Sequence, residues 1–177
     1  MGIDATALVG GALGGAAVQS VLEPLVGQRH LRRDLRANVL QAVTDVEANR
    51  WAPYDREQFR QAVAKLRSSV LVAGLPRRPA EFYLEVASAA RMVSDRDWGE
   101  TGGGDEDFPG GAIPSSLSDL VQNAAAAVVA AAWHPFRSRP LARFRQHRLT
   151  AEKAAVTKEL VEEPRTRIQW EHVWIPQ

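Results

Sequence analysis

The 177 residues contain no cysteine, which removes disulfides, thiol nucleophiles and cysteine metal sites together and leaves the redox compartment open. Lysine is scarce as well: Lys65, Lys153 and Lys158 stand against nineteen arginines. That bias, with abundant alanine, suggests a high-GC bacterial coding sequence more than a physical requirement. A net charge of +1 gives no global field that would draw in nucleic acid or an acidic substrate, so partners have to be argued from local charge. Catalytic signatures are also missing. There is no His-Glu-x-x-His and no serine elbow, and Gly102-Gly103-Gly104 has neither the lysine nor the Ser/Thr of a phosphate loop and sits among acidic residues. His30, His134, His147 and His172 fall in separate segments, none with metal-ligand spacing. The chain reads as non-enzymatic, with no cofactor, no metal site and no motif specific enough to name a family.

What is present begins with Ala5 to Leu22, eighteen uncharged residues followed by Glu23-Pro24 and the basic collar Arg29, Arg32, Arg33 and Arg36. The length sits at the threshold of a membrane span, and the arginines that follow would put the rest of the chain in the cytoplasm. Only six of the eighteen are large aliphatics, which makes insertion marginal. Gly10 and Gly14, and again Gly11 and Gly15, are spaced to let two helix backbones approach closely, in a membrane or in tight soluble packing. Four glycines make an exposed helix in water poor, at about 1 kcal/mol each relative to alanine, so either reading needs a covering surface. No basic n-region precedes the run, as a cleaved signal peptide would require. The start Met-Gly-Ile-Asp-Ala-Thr fits the myristoylation pattern at Gly2 and Thr6, a signal that bacteria do not read.

After Pro24 the periodicity is helical. Leu31, Leu35, Val39, Val43 and Val46 form one stripe, with Arg32, Arg33, Arg36, Gln41, Asp45 and Asn49 opposite, and the helix ends near Trp51. Ala52-Pro53 breaks it. Phe59, Val63, Leu66 and Val70 mark a second helix that stops at Gly74-Leu75-Pro76, and Pro79 suits the first turn of a third that buries Phe82, Val86, Ala89 or Ala90, and Val93. Residues 94–114 then read as a flexible acidic loop of about twenty residues, a length uncommon unless functional or disordered. Its carboxylates do not have the alternating spacing of a calcium loop. Ser115 or Ser116 with Asp119 resembles a capping box that opens a fourth helix, apolar nearly all round and expected to be central. Trp133 and Phe136 would anchor its end.

The strongest charge signal follows. Arg137, Arg139, Arg143, Arg145, Arg148, Lys153 and Lys158 are opposed by Glu152, with Leu141, Phe144 or Arg145, and Leu149 as a short apolar edge. Such a helix can lie on anionic lipid, contact phosphate backbones or pair with the acidic loop. Beyond Pro164, alternation puts Ile168, Trp170, His172 and Trp174 on one face of an extended tail, with Trp170 and Trp174 as docking anchors.

The expected architecture is therefore all-α, a small bundle of four to five helices: residues 1–27 as an apolar helix and possible anchor, 28–162 as the helical domain, and 163–177 as the aromatic tail. The expected function is a membrane-tethered interaction or scaffold protein, associated with the inner membrane and with its body in the cytoplasm. Its partners would be a protein or a second copy through the N-terminal helix, and an anionic membrane surface. Nucleic acid is disfavoured by the near-zero net charge. The alternative is a cytoplasmic assembly subunit, of phage or of a multiprotein complex, that uses its N-terminal helix and tail as docking arms.

Overall fold

The computed structural model describes residues 31–50, 56–101, 113–133, 138–160 and 167–176. Among them are five α helices and one short 3-10 turn, and no strand: α1 (31–50), α2 (Arg56–Val72), α3 (Arg77–Thr101), α4 (Ser115–Trp133), α5 (Ser138–Leu160) and the turn Trp170–His172. The protein is an all-α bundle, and Arg36–Gln177 forms one compact unit of it. No helix among the described residues is long and apolar enough to cross a membrane. The run 5–22, with Gly10, Gly11, Gly14 and Gly15, lies outside the described residues, as do Arg29 and Arg137.

The apolar stripes become the core. Val39, Val43 and Val46 of α1 and Phe59, Val63, Leu66 and Val70 of α2 are all buried, while Leu31 is exposed. Asp45 joins these two helices by accepting from Lys65 Nζ at 2.7 Å and from Gln41 Nε2 at 2.9 Å. The Lys65 hydrogen bond, then that of Gln41, holds its carboxyl below the usual aspartate range. At the end of α2 the chain reverses through a Schellman motif: Leu75 N–H donates to Val70 O at 3.0 Å and Gly74 N–H to Leu71 O at 3.1 Å. Gly74 has φ +65°, which a residue without a Cβ adopts freely. Pro76 then prevents the helix from resuming.

The central helix is α3, not α4 as its composition suggests. It packs on both α2 and α4, and burial wraps round it, from Phe82, Tyr83 and Leu84 to Val86, Ala87, Ser88, Ala89 and Ala90. Four consecutive small residues, Ala87 to Ala90, let neighbours close in from several sides. Tyr83 is fully buried and donates its hydroxyl to Glu47 Oε1 at 2.7 Å; burial, with Glu47 beside it, pushes the phenol far above its usual pKa. Arg91 reaches the end of α1 and donates from Nη1 to Asn49 O at 2.8 Å, satisfying a carbonyl that has no partner within its own helix.

Two further expectations change. Residues 94–101 continue α3 rather than opening the acidic loop, because Val93 and Ser94 are still buried and Asp95 makes an i, i+4 pair with Arg91 at 3.8 Å. The capping box does not form as read. Ser118 N–H donates to Pro114 O at 3.0 Å, so Pro114 is the residue that opens α4, and the buried Ser116 hydroxyl finds no partner among the described residues. Helix α4 buries one face, Leu117, Leu120, Val121, Ala124, Val128, Ala131 and Ala132, while Gln122, Asn123 and Ala126 are exposed.

Candidate interaction surface

Helix α5 packs against α4, and the residues that hold it lie in its second half. Leu149, Val156 and Leu160, at i, i+7 and i+11, are buried. Glu152 accepts from Asn123 Nδ2 of α4 at 2.7 Å, and Lys153 Nζ donates to Glu85 Oε1 of α3 at 2.6 Å. The same ammonium lies 4.0 Å from the centre of the Trp170 ring, whose Nε1 donates to Thr157 Oγ1 at 2.7 Å. One lysine of the basic run is thus a structural cation with two partners.

The first half is arranged differently. Arg143, Arg145 and Arg148 are exposed, and among the described residues none of the three makes an ion pair. Beside them stand Leu141 at 50 % and Phe144 at 70 % exposure, large apolar groups that the bundle leaves in water. Trp133, expected as a core anchor, is also exposed, at the last position of α4. Arg145 and Arg148 line a shallow groove of about 240 Å³ against Ala126, Ala127 and Ala130 of α4, where alanines leave room that larger side chains would fill. The arrangement is a pair of exposed apolar side chains bordered by solvent-exposed guanidinium groups, a combination that suits a headgroup layer or an acidic partner. Pairing with residues 95–107 is not the arrangement of Asp95, which faces Arg91 of its own helix; residues 102–112 lie outside the described residues.

No protein-family model matches this chain, nor does any curated protein or solved structure.

Other expected positions are scattered. Arg32 and Arg33 are exposed on α1 and Arg36 is partly buried, while Arg139 falls in the first turn of α5. His147 and His172 are both exposed, and no group of potential metal ligands occurs among the described residues. The tail docks on its own bundle. Arg96 of α3 donates to Arg167 O at 3.2 Å, Ile168 is buried, Trp170 sits on α5, and the Pro176 carbonyl accepts from Arg67 of α2, which also contacts Glu81 at 3.3 Å. The strict alternation fails because the 3-10 turn at Trp170–His172 shifts the inward face: Ile168 before the turn and Trp170 at its start pack inward, and Val173, Ile175 and Pro176 do so after it. Trp174 is left at the rim, its ring under Arg60 at 5.5 Å. Of the two tryptophans, Trp170 is half-buried against α5 and Trp174 is exposed.

The sequence reading missed the structural role of Lys153. The signal was weak but present, since Lys153 lies four residues after Leu149 and three before Val156, on the side of the helix that faces the core.

Proposed function

We propose that this protein is a non-enzymatic interaction or scaffold protein tethered at the cytoplasmic side of an inner membrane, with the first half of α5 against the lipid headgroups. The observation that carries this reading is the exposure of Phe144 and Leu141 amid Arg143, Arg145 and Arg148, none of them ion-paired among the described residues. Apolar side chains bordered by arginine enter the boundary between headgroups and acyl chains, and the arginines meet anionic lipid at roughly 1 kcal/mol each near the surface. The uncharged run 5–22, with its collar Arg29, Arg32, Arg33 and Arg36, supplies the second anchor. Two weak anchors hold a protein on a bilayer where one is readily reversed.

Vesicle flotation of the full chain tests this. It should float more with phosphatidylglycerol-containing vesicles than with phosphatidylcholine alone, less so as salt is raised. The triple variant R143Q/R145Q/R148Q should lose the anionic preference, and L141S/F144S should lower flotation on both lipids. No flotation with either lipid, or no dependence on these five residues, removes the membrane reading. A second reading, a helical assembly subunit, draws on Leu71 and Val72, both exposed at the end of α2. Sedimentation that shows oligomers lost on L71S/V72S would favour it.

A further inference from the structure

Between α2, α3 and the tail lies a cleft of about 450 Å³, within the size range of small-molecule sites and unconnected with the α5 surface. Its apolar walls are Phe59, Met92 and Trp174. One polar group in it has no explanation in the fold. Ser88 lines the cleft at 2 % exposure, and among the described residues its hydroxyl finds no hydrogen-bond partner, not even the carbonyl four residues earlier in its helix. A buried hydroxyl without a partner is destabilising, so a serine here in place of alanine calls for a reason.

The charges around the cleft divide into two sets. Arg91 is committed to the fold: it donates to Asn49 O, lies 3.8 Å from Asp95 and packs 4.8 Å from the Phe59 ring centre. Burial pushes the Asp95 carboxyl up, against the pull of Arg91 and Arg56. Arg56 and Arg60 are exposed at the mouth, Arg60 near Glu57 at 3.4 Å and over the Trp174 ring. Three arginines against two carboxylates leave a single positive charge in excess, which one negative charge would balance.

We propose that this cleft binds a small aromatic monocarboxylate. The ring lies against Phe59, Met92 and Trp174, Arg56 and Arg60 supply the charge, and the Ser88 hydroxyl donates to the ligand's carboxylate. The reading does not depend on membrane association, and its test contains no lipid.

Isothermal titration calorimetry of the full chain with 2-naphthoate, beside its neutral twin 2-naphthamide, is the experiment. Naphthoate should bind saturably at one site per chain and raise the melting temperature, with the amide at least about tenfold weaker, as expected where the charge contributes near 1.4 kcal/mol. R56Q/R60Q should erase the difference between the two probes. Ser88→Ala, which keeps the helix and removes only the orphan hydroxyl, should weaken naphthoate about fivefold, the scale of one hydrogen bond. Circular dichroism should show each variant folded. Absence of saturable binding by the folded wild type, equal binding of acid and amide, or indifference of naphthoate to Ser88→Ala would each overturn the proposal.

Discussion

The two halves of α5 share one helix and one charge pattern yet live in different environments. From Leu149 onward the helix is part of the bundle, with three buried aliphatics and a lysine that bridges Glu85 and the Trp170 ring. Before Leu149 it presents Leu141 and Phe144, with Arg143, Arg145 and Arg148, to solvent, the three arginines without an ion pair among the described residues. A run of bases in a sequence is therefore not one feature. Positive charge that is half-buried between partners contributes to stability, and positive charge that is exposed beside apolar groups is left accessible to other molecules.

Core truncation gives the largest expected effect. Leu160→Ala or Leu149→Ala should lower the unfolding free energy by about 2–5 kcal/mol, as buried leucines generally do, whereas Phe144→Ala should stay within about 0.5 kcal/mol despite removing a larger side chain. Urea denaturation measures both, and a Phe144 variant as unstable as the Leu160 one would erase the distinction. Next comes Lys153. A double-mutant cycle with Lys153→Met and Glu85→Gln should show coupling of about 1 kcal/mol, while Arg148→Gln with Glu85→Gln should show none within error. Appreciable Arg148 coupling would mean the first half is tied to the bundle after all.

The smallest effect concerns the Lys65–Asp45 pair, a surface counterpart of Lys153–Glu85. Asp45 is held below its ordinary value of 3.8, so its ionised form is favoured by folding. Its contribution is present above that value and lost as pH falls through the lowered one. Asp45→Asn should therefore be slightly destabilising at neutral pH, by under about 1 kcal/mol, and indistinguishable from wild type in strong acid. A variant whose deficit persists unchanged into acid would show that the carboxylate's charge is not what matters there.

Much of the bundle could be read from spacing. The stripes of α1 and α2 and the stop at Gly74 follow from apolar periodicity and from one residue tolerant of positive φ. Which helix is central could not. Helix α4 is more uniformly apolar, but Ala126 and its neighbours contribute little area, whereas α3 places Tyr83, Leu84 and Val86 among partners on several sides. The polar run from Ser94, with Asp95, Arg96 and Asp97, made the sequence look like a loop while the backbone stayed helical, Asp95 pairing with Arg91 one turn back. Of the contact surface, the arginines of α5 were legible and the exposure of Phe144 and Trp133 was not, since exposure depends on where the neighbouring helix ends. Ser88 gave no signal at all: a serine among alanines in a buried helix looks like any small residue until its missing hydrogen bond is seen.

The docked tail carries its own optical label. Trp170, hydrogen-bonded to Thr157 and covered by Lys153, should emit toward the blue, while Trp174, 54 % exposed at the rim, should emit toward the red and be open to soluble quenchers. Two indoles four residues apart thus report opposite sides of one segment. With Trp51, Trp98 and Trp133 replaced by phenylalanine, a change in the balance of their fluorescence would time the tail's release or seating without any added dye.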